Sequence, residues 1–154
     1  MKVIHWIVAA AALSFVQPAQ AGVNDPEVII YRFSALFDNG GSDFQGVATV
    51  FHCTNFSGVD EHVRIVLRLG NSAIASNFPV TIAHLNTAAV ATHPISSYMH
   101  ASMNTTGFFE GTAAIAATSI NVTCTAMVID AANARPDGLV VHGIRFNPVP
   151  GSQE

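Results

Sequence analysis

His62-Val63-Arg64-Ile65-Val66-Leu67-Arg68-Leu69 puts Val63, Ile65, Leu67 and Leu69 on one face and Arg64 and Arg68 on the other. That alternation is the period of a half-buried strand, because successive side chains leave a strand on opposite sides. Gly70-Asn71-Ser72 ends it with residues that accept a tight turn. Working outward, the same period recurs. Residues 28–37 group Ile29, Tyr31, Phe33, Ala35 and Phe37, and residues 45–56 set Phe51 and Cys53 against His52 and Thr54. Residues 73–82, 87–92, 111–118, 120–129 and 139–146 read as further strands. In the Ala-rich run from Thr112 to Thr118, Gly111 before it and β-branched residues after it outweigh helical propensity. Asp38-Asn39-Gly40-Gly41 supplies hairpin chemistry, and a polar loop covers about 93–106. No long stretch carries a helical stripe. The expectation is an all-β chain, a single antiparallel β-sandwich of about seven to eight strands.

The first residues read differently. Lys2 precedes an apolar run from Val3 to Val16, Gln17-Pro18 breaks it, and Ala19-Gln20-Ala21 offers small residues to a signal peptidase. This predicts a secretory signal peptide over 1–21, cleaved after Ala21, with the sandwich and an extended tail filling 22–154. The run is too short to span a bilayer comfortably, so no transmembrane segment is expected in the mature chain. Export to the periplasm or the outside of the cell favours a bond between Cys53 and Cys124, the only two cysteines. Each lies on an apolar strand face. The alternative is two separately buried thiols, since spacing does not measure their distance.

Composition narrows the function. Only 10% of the chain is charged, against a usual quarter, so its surface is polar mainly through Ser, Thr, Asn and Gln. Past Ala21, five arginines (Arg32, Arg64, Arg68, Arg135 and Arg145) and no lysine stand against ten acids. Nucleic acid is therefore not expected as a partner. The half-apolar composition excludes a disordered tail. No G-x-S-x-G, H-E-x-x-H, Gly-rich phosphate loop or C-x-x-C occurs. The acids between Asp38 and Asp43 lack the ligand spacing of a calcium loop, which leaves a plain turn there.

Two core-strand cysteines in a small exported sandwich resemble the immunoglobulin-like or a related Greek-key architecture. The likeness is architectural: the mature chain lacks tryptophan, and Val122 replaces the tyrosine two before the second cysteine. Histidine is the remaining chemical signal. His142 alternates with Val140, Ile144 and Phe146 and reads as a core residue, while His52 points away from the cysteine face. His93, Met99, His100 and Met103 fall together in the long loop, and imidazole with thioether suits copper, particularly Cu(I). The bland reading is that the methionines pack the loop onto the sandwich. The resulting expectation is a secreted or periplasmic non-catalytic binding or structural module, without cofactor, meeting a protein or cell-surface partner. A periplasmic copper-binding protein is the alternative. A hydrolytic enzyme ranks third, because no nucleophile or paired acid can be nominated.

Overall fold

The computed structural model describes residues 26–40 and 43–146. The expected leader over 1–21 with its cleavage site, and the tail expected from Asn147, lie outside the described residues. The strands are β1 (Val28–Asp38), β2 (Val47–Asn55), β3 (Glu61–Leu69), β4 (Ile74–Ile82), β5 (Thr87–Ala91), β6 (Ala101–Ser102), β7 (Phe108–Ala117), β8 (Val122–Asp130), β9 (Gly138–Val141) and β10 (Gly143–Arg145). They form two five-stranded sheets, sheet A in the order β10-β1-β7-β3-β4 and sheet B in the order β6-β5-β2-β8-β9. Every pairing is antiparallel except β5 with β6. The described residues are all-β, with two sheets around one main core. Among the described residues, no helix is long and apolar enough to cross a membrane.

The core follows from the alternation. Tyr31, Phe33, Leu36, Val63, Ile65, Leu67, Ala113 and Ile115 turn inward from sheet A onto Phe51, Cys53, Val90, Val122, Cys124 and Ala126 of sheet B. Phe33 and Phe51 meet edge to face across the two layers, with ring centroids 5.8 Å apart. Strand β3 carries the expected pattern, with Val63, Ile65 and Leu67 wholly buried. Strand β1 departs from it. Irregular register between Ile29 and Tyr31, and again between Phe33 and Leu36, resets which side faces inward. Ile30 and Leu36 are buried while Ile29 is partly exposed, and Ala35 takes a positive φ of 57°. An extra residue at a bulge reverses the faces beyond it, which composition alone does not announce.

Three connections differ from their expected form. The Asp38-Asn39-Gly40-Gly41 turn is not a hairpin, because β1 belongs to sheet A and β2 to sheet B. The chain instead crosses one end of the sandwich, where Val47 N donates to Asn39 Oδ1 at 2.8 Å. Residues 139–146 do not form one strand. Strand β9 pairs with β8 and β10 with β1, so the chain changes sheets at His142. This raises the strand number above eight, together with β6, which arises inside the long loop. His142 is accordingly exposed and not a core residue, and Val140 and Ile144 beside it are 69% and 59% exposed. Their apolar alternation lies on strands at the sheet edges, where one side meets solvent. Gly143 is required at the crossing, because a Cβ there would strike the Phe33 ring.

The cysteines are bonded, and their setting is specific. Cys53 lies directly opposite Cys124 in the β2–β8 register, with Cα atoms 4.2 Å apart. That separation belongs to a non-hydrogen-bonded antiparallel pair, whose side chains sit closest. The bridge therefore joins neighbouring strands of sheet B on their inward face. In antibody domains the bond spans the two sheets instead.

Candidate functional site

The long loop is a flap. From Pro94 to Tyr98 it folds onto the outer face of sheet B, where Ile95 joins Ala48, Val50, Ala91, Ile129 and Ala131 in a second small core. Tyr98 packs at its margin and meets the His52 ring edge-on at 4.5 Å. Burial holds the His52 pKa below the ordinary imidazole range, and its Nε2 has no partner among the described residues. His100 pins the flap. Its Nε2 accepts from Ile95 N at 3.2 Å, which leaves Nδ1 to donate to the Tyr98 carbonyl at 2.7 Å.

His93 roots the flap in the sandwich end. Its Nδ1 lies 2.9 Å from Asp38 Oδ2 and its Nε2 2.9 Å from the Gln45 carbonyl. The ring therefore bridges a carboxylate and a backbone carbonyl with both nitrogens engaged. Asp38 is wholly buried and also accepts from Gly40 N at 2.8 Å and Thr105 Oγ1 at 3.3 Å. Gly107, at a φ of +94°, passes so close to Gly40 that a Cβ on it would meet Gly40 N at 2.7 Å. Asp38 thus ties β1 of sheet A to the end of β5 in sheet B.

The four residues considered for copper are placed as follows. His93 and His100 have both ring nitrogens in hydrogen bonds within the protein. Met99 is fully exposed, whereas Met103 packs against the main core. A metal held by this set displaces bonds that organise the flap. We expect Cu(I), titrated under a competing chelator, to bind the protein no more tightly than Met99→Ala/His100→Ala/Met103→Ala. Tighter binding by the unaltered chain, lost in a triple variant of unchanged circular dichroism, establishes the copper site instead.

A groove that no local sequence pattern announces lies on the outer face of sheet A. It encloses about 270 Å³ and is lined by Arg32 and Ser34 of β1, Arg68 of β3, Thr112 and Ala114 of β7, and His142 with Ile144 at the sheet crossing. Register explains the shape. Arg32 stands between Ile144 and Ala114, and Arg68 stands opposite Thr112. Short side chains on β7 make a low floor between long ones on either side. Arg32 lies over the Phe146 ring, 5.5 Å from its centroid, and Arg68 donates to the Ser72 carbonyl at 2.9 Å. Among the described residues neither arginine forms an ion pair, unlike Arg64, which is held bidentate by Glu27 at 2.7 and 2.9 Å. That pairing lowers the Glu27 pKa and raises that of Arg64.

No family model matches this chain. No curated protein matches it either. Among solved structures it is similar to that titled "Crystal Structure of Thermotoga maritima 1070", at 10% identity with a TM-score of 0.46. The similarity covers 78% of this chain and 96% of that one. A likeness of this degree carries no functional argument.

At the opposite end of the sandwich, Glu61 was also illegible as a buried residue. It opens β3 wholly buried, and Thr118 Oγ1 donates a hydrogen bond to its Oε2. Its Oε1 has no partner among the described residues. Asn55, also buried, donates to the Val59 and Ile82 carbonyls at 2.7 Å each and so clamps two segments together.

Proposed function

We propose that this chain is a secreted or periplasmic, non-catalytic β-sandwich that acts as a binding or structural module through its outer surface. The observation that carries this reading is the division of its polar chemistry. Inside, Asp38, His93 and Asn55 spend their hydrogen-bonding groups on holding strands and loops together. Outside, Arg32 and Arg68 line a groove and have no carboxylate partner among the described residues. The charge-poor surface suits contact with a protein or cell-surface partner, and the Cys53–Cys124 bond suits an oxidising compartment.

Export is tested by mass. Protein recovered from the periplasm or medium should begin at Gly22 and be about two hydrogens lighter than the dithiol. A product that retains Met1, or two thiols alkylated without prior reduction, overturns this half of the reading. Reproducible turnover of an ester, glycoside or peptide by the disulfide-bonded protein overturns the other half.

A further inference from the structure

We infer that the sheet A groove is a binding site for a small hydroxylated carboxylate, with Arg32 and Arg68 as its anion-holding residues. The inference rests on the binding-module reading and gives it a place and a ligand class. Its first support is charge. In a chain with only five arginines beyond Ala21 and twice as many acids, two arginines that form no ion pair among the described residues line one concavity. Among the described residues the nearby carboxylates do not neutralise them: Glu27 is taken by Arg64, and Glu110 lies beside Gly70, outside ion-pair distance of both.

Geometry supplies the second support. Arg32 pairs with Ala114, and Arg68 with Thr112, on opposite sides of β7. Two strand spacings and two residues of rise set their Cα atoms about 12 Å apart along a diagonal. Where they stand, at the Phe146 ring and the Ser72 carbonyl, the two forks can hold two carboxylates of one molecule. Two side chains of arginine length can close on a single carboxylate once one of them leaves that place. Guanidinium suits this better than ammonium, because its paired N–H groups match the two carboxylate oxygens. Arg68 spends one nitrogen on Ser72 and keeps the rest of its donors. The Phe146 ring supports the Arg32 plane from one side, which limits its freedom before a ligand arrives.

The floor selects the rest of the ligand. Ser34 and Thr112 offer hydroxyls, His142 an imidazole, and Ala114 and Ile144 apolar surface. A hydroxylated body can donate to and accept from the first three while lying on the last two. An acidic sugar or a small hydroxy acid has that chemistry, whether free or as a residue of an envelope polysaccharide. The volume admits one sugar ring or one short acid, not a folded partner.

The test titrates the disulfide-bonded protein with D-glucuronate, tartrate, an oligoglucuronate, glucose and inorganic phosphate, followed by nuclear magnetic resonance of the arginine Nε–H groups and, in every variant, of the backbone amides of Ser34, Thr112 and Ile144. Glucuronate or tartrate should shift the Arg32 and Arg68 signals saturably, and glucose should not. Tighter binding of the oligomer assigns the source to a polysaccharide, and equal binding to the free acid. Arg32→Gln/Arg68→Gln should weaken binding at least about tenfold, the scale of one lost charge-assisted pair. Ala114→Leu keeps both charges but fills the floor, and should weaken binding as well. Circular dichroism checks both variants. Absence of saturation overturns the inference, as does phosphate binding equal to that of the carboxylates or binding unchanged in either folded variant. Those results leave the export and disulfide measurements untouched, so failure here is distinct from failure of the module reading.

Discussion

Replacing Cys53 and Cys124 together by serine is expected to destabilise the protein by about 2–5 kcal/mol, enough to unfold a marginal domain at physiological temperature. The bond closes a sequence separation of 71, for which chain entropy alone gives about 4 kcal/mol in the unfolded state. The native site adds a second cost. Cys53 and Cys124 are 2% and 4% exposed between Phe51, Val122 and Ala126, so two hydroxyls enter an apolar face. Cys53→Ala/Cys124→Ala separates the terms, because it removes the bond without burying oxygen. It should fall short of the serine pair in damage, with the chain-entropy loss retained. Denaturant unfolding measures both, with stability read from midpoint and slope together, since a lost cross-link also changes the slope. If the serine pair unfolds at the unaltered midpoint with the unaltered slope, the bond contributes nothing and the pairing within sheet B suffices.

What the sequence made legible is what local period controls. Strand β3 and the Gly70-Asn71-Ser72 hairpin emerged because alternation and turn chemistry agree over a few residues, and Ser72 N does donate to the Leu69 carbonyl. The inward faces of Cys53 and Cys124 followed from the same rule. His142 did not, because alternation is blind to a chain that leaves one sheet for another. Strand β1 misled where its bulges reverse the faces. The loop from 93 to 106 looked merely polar because Ile95 and Tyr98, the two residues that dock it, are spaced too sparsely to show a period. The groove was hidden for a further reason. Arg32 and Arg68 become neighbours only through β7, and that requires the register of three strands at once.

Asp38 and His93 illustrate the same limit with larger consequences. Each was visible as a chemical residue, Asp38 in a turn and His93 in a copper-suited loop, but they are separated by 55 positions and meet only in the fold. Their side chains are 0% and 6% exposed, so truncating one leaves the other in low dielectric with half its partners gone. His93→Leu is therefore expected to cost about 3–5 kcal/mol, the range for breaking a buried pair from one side. The Asp38 carboxylate would keep Gly40 N and Thr105 Oγ1 but lose its imidazole partner. Asp38→Leu should cost a similar amount by stranding the ring between one acceptor and an apolar wall. Removing both takes away the uncompensated group, so Asp38→Leu/His93→Leu should fall short of the summed single effects by about 0.5–3 kcal/mol. Urea unfolding of the four proteins completes the cycle. Strict additivity, or a His93→Leu change within about 0.5 kcal/mol, the size of an ordinary surface substitution, sinks the account of this pair as the tie between the sheets. The flap supplies an independent readout. His93 precedes Pro94, whose carbonyl accepts from Phe44 N at 3.0 Å, so loss of the pair should raise amide exchange over residues 95–100 more than at Val63–Leu67 in the core. Uniform exchange over both segments would place the damage in the whole sandwich and not at the root of the flap.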